Sequence, residues 1–155
     1  RKITSPQHLG TMGGSNGGLL MGNMLTQYPS MFGAIVVQVP LLDMKRYSHL
    51  LAGASWMAEY GNPDTADWSF IKDFSPYHLF DAKKDYPATL FTTSTKDDRV
   101  HPAHARKMMA LMEAAGKDVR YYENIEGGHG GAANNAQSAH MNALSYSFLW
   151  QQLTK

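Results

Sequence analysis

Short apolar runs alternate with longer stretches of helical periodicity along these 155 residues. Residues 34–39 read AIVVQV, rich in β-branched side chains and bounded by Gly33 and Pro40, which predicts a strand buried on both faces. Residues 88–93 and 119–125 predict two more strands, and the small and apolar residues at 7–12, which run into Gly13-Gly14, predict another. Between the first two strands, residues 16–28 predict a helix closed by Pro29. The clearest helix is predicted over 102–115: proline in the first turn, an apolar stripe of Ala105, Met108, Met109 and Met112, and Gly116 at the end. Residues 135–153 predict a last helix whose apolar face is Met141, Leu144, Phe148 and Leu149. The polar-aromatic stretch 43–85 carries turn signals such as Gly61-Asn62-Pro63 and predicts short helices. Trp68 and Trp150 are expected in the core, the usual place of a tryptophan.

Strands alternating with helices imply an α/β fold, a mostly parallel sheet with helices on both faces. There are no repeats, low-complexity tracts or linkers, and the length suits one domain. Composition narrows the partners. With 43% hydrophobic residues and a formal net charge of +1, the chain lacks the basic footprint that nucleic acid or an anionic membrane attracts. No apolar run approaches the roughly 18 residues of a membrane span. The absence of cysteine removes disulfides and thiolate chemistry and leaves the compartment undetermined. No signal peptide is visible, but the chain opens on Arg1 and not on Met, so targeting is undetermined too.

Each predicted strand end then coincides with a piece of chemistry. Gly13-Gly14-Ser15-Asn16-Gly17 falls at a strand-to-helix junction, Asp97-Asp98-Arg99 follows strand 88–93, and Gly128-His129-Gly130 follows strand 119–125. The order nucleophile, acid, base is that of an α/β-hydrolase Ser–Asp–His triad, and open α/β sheets hold their ligands at this end of the strands. A serine on so tight a turn needs small neighbours. Gly13 and Gly17 are expected to give that room, and Gly14 and Gly18 to extend it. The Asn16 N–H, first in the following helix, is the expected oxyanion donor. The competing reading of the same residues is a glycine-rich helix cap. His129, flanked by glycines, is expected to have a mobile, accessible ring. The other histidines, His8, His49, His78, His101, His104 and His140, are expected at the surface or in the core. The His101/His104 spacing suits a metal, but no third ligand accompanies it, and neither metal nor cofactor is expected. Asp97 and Asp98 are both available as the acid, and spacing does not choose between them.

The pieces GGSNGGLL (residues 13–20), SWMAEYGNP (55–63), DDRVHP (97–102) and GGHGG (127–131) together resemble the catalytic domain of the prolyl oligopeptidase family of serine peptidases. The resemblance covers nearly the whole chain. It implies that Asp97 is the triad acid and that Arg99 holds a carbonyl of the peptide substrate. It also implies that Trp56 and Tyr60 line the pocket for the substrate proline, with Leu41 and Val100 at apolar positions of that pocket. A flat aromatic wall complements a flat, rigid, apolar ring. The implied activity is endopeptidase cleavage on the carboxyl side of proline in short peptides.

Alternatives of other classes are an esterase or aminopeptidase-like relative with the same triad, and a catalytically silent fragment that only self-associates. In the family a propeller and the first strands of the hydrolase domain precede the nucleophile strand, and these do not fit before Arg1. The chain is therefore expected to be a partial catalytic domain over residues 1–155, weakly active or inactive alone. It is expected to form a homo-oligomer through the sheet edge left open beside the nucleophile strand.

Overall fold

Alternate residues of the central strands face two different helical layers, and this explains why those strands are apolar throughout. The computed structural model describes residues 2–155. Its four parallel strands are β1 (Gly10–Gly14), β2 (Ala34–Gln38), β3 (Ala88–Ser94) and β4 (Val119–Asn124), in spatial order β1-β2-β3-β4. The main helices are α1 (Asn16–Gln27), α5 (Ala103–Ala114) and α6 (Asn135–Leu153). Between β2 and β3 lie the one-turn helices α2 (Met57–Tyr60), α3 (Trp68–Ile71) and α4 (Pro76–Leu79), with several 3-10 turns.

Ile35, Val37 and Phe91 pack with Met21 and Leu25 of α1 and Met108 and Met112 of α5. Ala34, Val36 and Leu90 pack on the opposite face with Phe148 of α6. Burial on both faces leaves no room for a polar period in β2, as a sheet covered on both sides requires. A third cluster, Leu19, Leu41, Met44, Tyr47, Ile71 and Val100, lies under the short helices, with Trp56, Tyr60 and Trp68 packed against it. Parallel pairing aligns Gly14 with Gln38, Gln38 with Thr92, and Ser94 with Asn124, so the strands end together. β1 and β4 are the margins of the sheet.

Several expectations are corrected in detail. Residues 6–8 form a 3-10 turn started by Pro6, so pairing begins only at Gly10, opposite Ala34, and runs on to Gly14. β4 stops at Asn124, because the Asn124 carboxamide oxygen accepts the Glu126 N–H and turns the chain; Ile125 is 71% exposed. Pro102 is the N-cap of α5 and lies just outside it. Ala105, Met108 and Met112 are fully buried there, Met109 is half-buried, and His104 joins the buried face. On α6 the position between Met141 and Phe148 is filled by Ser145, whose hydroxyl donates to Met141 O, while Leu144 is half-buried. Trp68 is half-buried beneath the Lys45 ammonium, whereas Trp150 is 72% exposed.

His104 bears on stability. Its Nδ1 accepts the N–H groups of Leu42 (3.3 Å) and Asp43 (3.0 Å), which fixes the proton on Nε2, a buried atom without a partner among the described residues. Burial is the main cause that lowers its pKa from 6.5 to about 4. The unfolded chain therefore takes up this proton below pH 6.5 while the folded chain refuses it until about pH 4. Stability from this group is complete above 6.5 and is lost as pH falls through that window, by roughly 3 kcal/mol. Urea midpoints are expected to drop from pH 7 to 4.5, and a His104→Gln variant to show a shallower slope. Parallel slopes would contradict the assignment.

Candidate active site

Ser15 stands in a backbone conformation that a serine rarely adopts, φ 58° and ψ −118°. Such positive-φ strain costs on the order of 1–3 kcal/mol and persists only when neighbouring structure enforces it. Here the Ser15 N–H donates to Gln38 O (2.9 Å), while its carbonyl accepts from Gly18 (2.9 Å) and Leu19 (3.2 Å), starting α1 directly after β1. The turn closes because Gly13 lies against the Gly17 carbonyl: a Cβ on Gly13 would come within 2.5 Å of it. A Cβ on Gly18 would meet Pro40 at 2.7 Å and Gln38 O at 2.8 Å. A Cβ on Gly17 would meet open space, so the room expected of Gly17 is needed at Gly18 instead. As the first helical residue, Asn16 has no intrahelical acceptor for its N–H.

Three strand ends bring Asp97 and His129 to this serine. His129 Nε2 lies 2.9 Å from Ser15 Oγ, and His129 Nδ1 lies 2.9 and 3.0 Å from the two carboxylate oxygens of Asp97. Asp97 Oδ1 also accepts the N–H groups of Arg99 and Val100, each at 2.9 Å. The Asp97 side chain is fully buried and that of His129 only 20% exposed. Asp98 is exposed. Of the pair, which the local residues alone left open, it is Asp97 that meets the imidazole. The imidazole, expected to be mobile and accessible, is instead held at both nitrogens.

A cavity of about 330 Å³ opens over the serine, lined by Ser15, His129, Trp56, Arg99, Ala52 and Ser55. Trp56 and Arg99 therefore share it with the hydrogen-bonded line. Tyr60 does not: its ring lies edge-on to Tyr47 and against Phe74, and its hydroxyl donates to the Asn16 side chain. That places it on a neighbouring groove with Asn16, Leu20 and Tyr28. Leu41 and Val100 are 1% and 2% exposed, so they lie beneath Trp56 as buried packing and do not line the cavity. The Nδ1 atoms of both His101 and His104 accept backbone N–H groups.

The model of the prolyl oligopeptidase family matches residues 1–155. The chain belongs to that family. It is 54% identical over 154 residues to the uncharacterized peptidase y4nA of Sinorhizobium fredii, covering 99% of this chain and 21% of that protein. It is 35% identical over 150 residues to the prolyl endopeptidase of Elizabethkingia miricola, covering 94% and 21%. Among solved structures it resembles one from a study of two prolyl endopeptidases (TM-score 0.92, 42% identity, 99% of this chain and 23% of that one). It also resembles a post-proline cleaving enzyme from Rickettsia typhi (TM-score 0.91, 39% identity, 98% and 22%). The chain spans about a fifth of the length of these relatives. The shared fold is the α/β-hydrolase arrangement of parallel sheet and flanking helices.

Within this prolyl oligopeptidase fold, two features of the site were missed in the sequence. Ser94 and Asn124 close their strands as buried polar residues and bond the histidine loop. The available signal was a polar residue ending each apolar strand just before a loop. The roles of Gly17 and Gly18 are checked by alanine. Gly13→Ala and Gly18→Ala are expected to lower the melting temperature sharply, because backbone or ring atoms block the new methyl. Gly17→Ala, in a helical first turn, is expected to be neutral or to stabilise by about 0.5–1 kcal/mol. Equal losses at all three positions would contradict this account of the turn.

Proposed function

We propose that this chain carries the catalytic machinery of a serine endopeptidase that hydrolyses peptide bonds on the carboxyl side of proline in short peptides. The observation that carries the reading is the line Asp97–His129–Ser15, with both imidazole nitrogens within 3.0 Å of their partners. In this reading Ser15 Oγ attacks the scissile carbonyl carbon while His129 Nε2 takes the hydroxyl proton. Asp97 accepts from Nδ1–H, holds the useful tautomer and stabilises the imidazolium that forms. The Asn16 N–H receives the charge developing on the carbonyl oxygen.

Collapse of the tetrahedral intermediate breaks the C–N bond as His129 returns its proton to the leaving amine, leaving an acyl group on Ser15. Water, deprotonated by the same imidazole, then releases the acid and restores the serine. Trp56 provides a flat apolar wall beside the attacking oxygen, and Arg99, at the rim of the same cavity, donates to a carbonyl of the bound peptide. Tyr60 acts from the adjoining groove through the Asn16 side chain, and Leu41 and Val100 support Trp56 from below.

Post-proline cleavage draws support from relatives described as prolyl endopeptidases and from the aromatic wall in the cavity. Peptide as the substrate class draws support from prolyl oligopeptidase B of Galerina marginata, solved bound to a 35mer hydrolysis and macrocyclization substrate and to a 25mer macrocyclization substrate. The test uses the protein at its natural length and a Gly-Pro nitroanilide beside an aryl ester. The proline amide is expected to be turned over, with Ser15→Ala lowering kcat by roughly 10⁴–10⁶-fold. Trp56→Ala is expected to reduce kcat/KM for the proline amide more than for the ester. Wild-type activity in Ser15→Ala, or turnover of the ester alone, would overturn the proposal.

A further inference from the structure

Ser94 and Asn124 are register partners at the carboxyl ends of β3 and β4. Both are buried, at 0% and 5% exposure, and neither bonds the side chains of Ser15, Asp97 or His129. Their polar atoms go instead to the backbone of the loop that carries His129. Ser94 Oγ donates to Gly128 O at 2.7 Å. Asn124 Nδ2 donates to Gly131 O at 3.0 Å and to Gln137 Oε1 at 2.8 Å. Asn124 Oδ1 accepts the N–H groups of Glu126 (3.0 Å) and Gly127 (3.3 Å). The Gly131 N–H closes the loop on Gly128 O at 2.9 Å. The residues just before and two after the imidazole are therefore gripped by two adjacent strand ends.

The loop has particular need of such a grip. Residues 127–131 are glycine apart from His129, and glycine brings wide backbone freedom and no side chain to pack. A buried carboxamide with both donors and its acceptor oxygen engaged is a stiff, directional fixture. Ser94 also ties the acid to the same frame: its carbonyl accepts the Asp97 N–H at 3.3 Å, while the Thr95 N–H donates to Asn124 O at 2.9 Å. Acid and base thus take their positions from one pair of residues, although 32 positions separate them in the chain.

We propose that Asn124 and Ser94 are positioning residues that set the His129 imidazole at bonding distance from Ser15 and Asp97, acting on turnover and not on substrate binding. The proposal rests on the reading of His129 as the general base. Misplacing a reacting group by about 1 Å costs about 10²-fold in rate.

In the protein at its natural length, with the proline nitroanilide as substrate, Asn124→Ala is expected to lower kcat about 10- to 100-fold. KM is expected to stay within about twofold, the mark of an interaction that matters to the chemical step. Ser94→Ala removes one hydrogen bond with little change of volume and is expected to give a smaller fall of the same kind. Circular dichroism at the assay temperature reports the folded fraction, and Ser15→Ala is measured alongside. If Ser15→Ala keeps wild-type activity, the peptidase reading itself fails. If Ser15→Ala is inactive while Asn124→Ala and Ser94→Ala turn over at the wild-type rate per folded molecule, the positioning role is overturned and the peptidase reading survives. If Asn124→Ala does not fold, Ser94→Ala decides by the same criterion.

Discussion

The hydrogen-bonded line Asp97–His129–Ser15 exists only if both imidazole nitrogens meet their partners together, and in this chain those partners come from segments far apart in sequence. Ser15 and His129 are separated by 114 positions, yet their side chains stand 2.9 Å apart. What holds this distance is the shared register of four parallel strands. Gly14, Ser94 and Asn124 end their strands at one end of the sheet, and Ser15, Asp97 and His129 follow within one, three and five residues. Short connections from a rigid platform leave little slack, whereas long loops would have to be ordered at the expense of their own entropy.

The electrostatics follow from the same placement. A buried carboxylate is tolerable when its lone pairs are met by donors, and Asp97 receives three: Nδ1–H of His129 and the N–H groups of Arg99 and Val100. The two backbone donors anchor the carboxylate in its own loop, so the imidazole meets an acceptor that is held independently of it. On the other side, the strained Ser15 backbone lifts the hydroxyl to the second nitrogen, and the start of α1 presents the Asn16 N–H beside it. Glu123, next to Asn124, accepts from Arg106 and Thr95. The Arg106 bond holds its pKa down to about 2, so this anchor between α5 and the end of β4 stays charged across the physiological range.

Much of this was legible in the residues because the patterns are strong where the structure is regular. The β-branched run around Ile35 reads as a buried strand and the run around Phe91 as the next one, and the apolar stripe of α5 marks the face it buries, Met109 excepted, which is half-buried. The motif order pointed to Ser15 and His129 as partners, which the structure places 2.9 Å apart, while the choice of Asp97 over Asp98 as the neighbour of His129 needed either the family resemblance or the three-dimensional contacts. Other features depended on tertiary packing and stayed hidden. Nothing local distinguishes Gly17 from Gly18, since the difference lies in Pro40 and Gln38 across the sheet. Trp150 lies on the exposed side of α6, and the weak period of that helix gives no warning. Leu41 and Val100 match pocket positions in type but lie one layer below the surface, a matter of depth that periodicity does not encode. The loop of His129 looked mobile because its glycines are visible, whereas the amide and hydroxyl that hold it come from β4 and β3.

The claim on which all else depends is that the imidazole makes the Ser15 hydroxyl a nucleophile. A fluorophosphonate that alkylphosphonylates activated serines, followed by peptide mapping, tests it most directly in the protein at its natural length. The expected result is one label, on Ser15, with the rate of labelling strongly reduced in His129→Ala and in Asp97→Asn. Labelling that spares Ser15, or that proceeds at the same rate without the imidazole, would contradict the account.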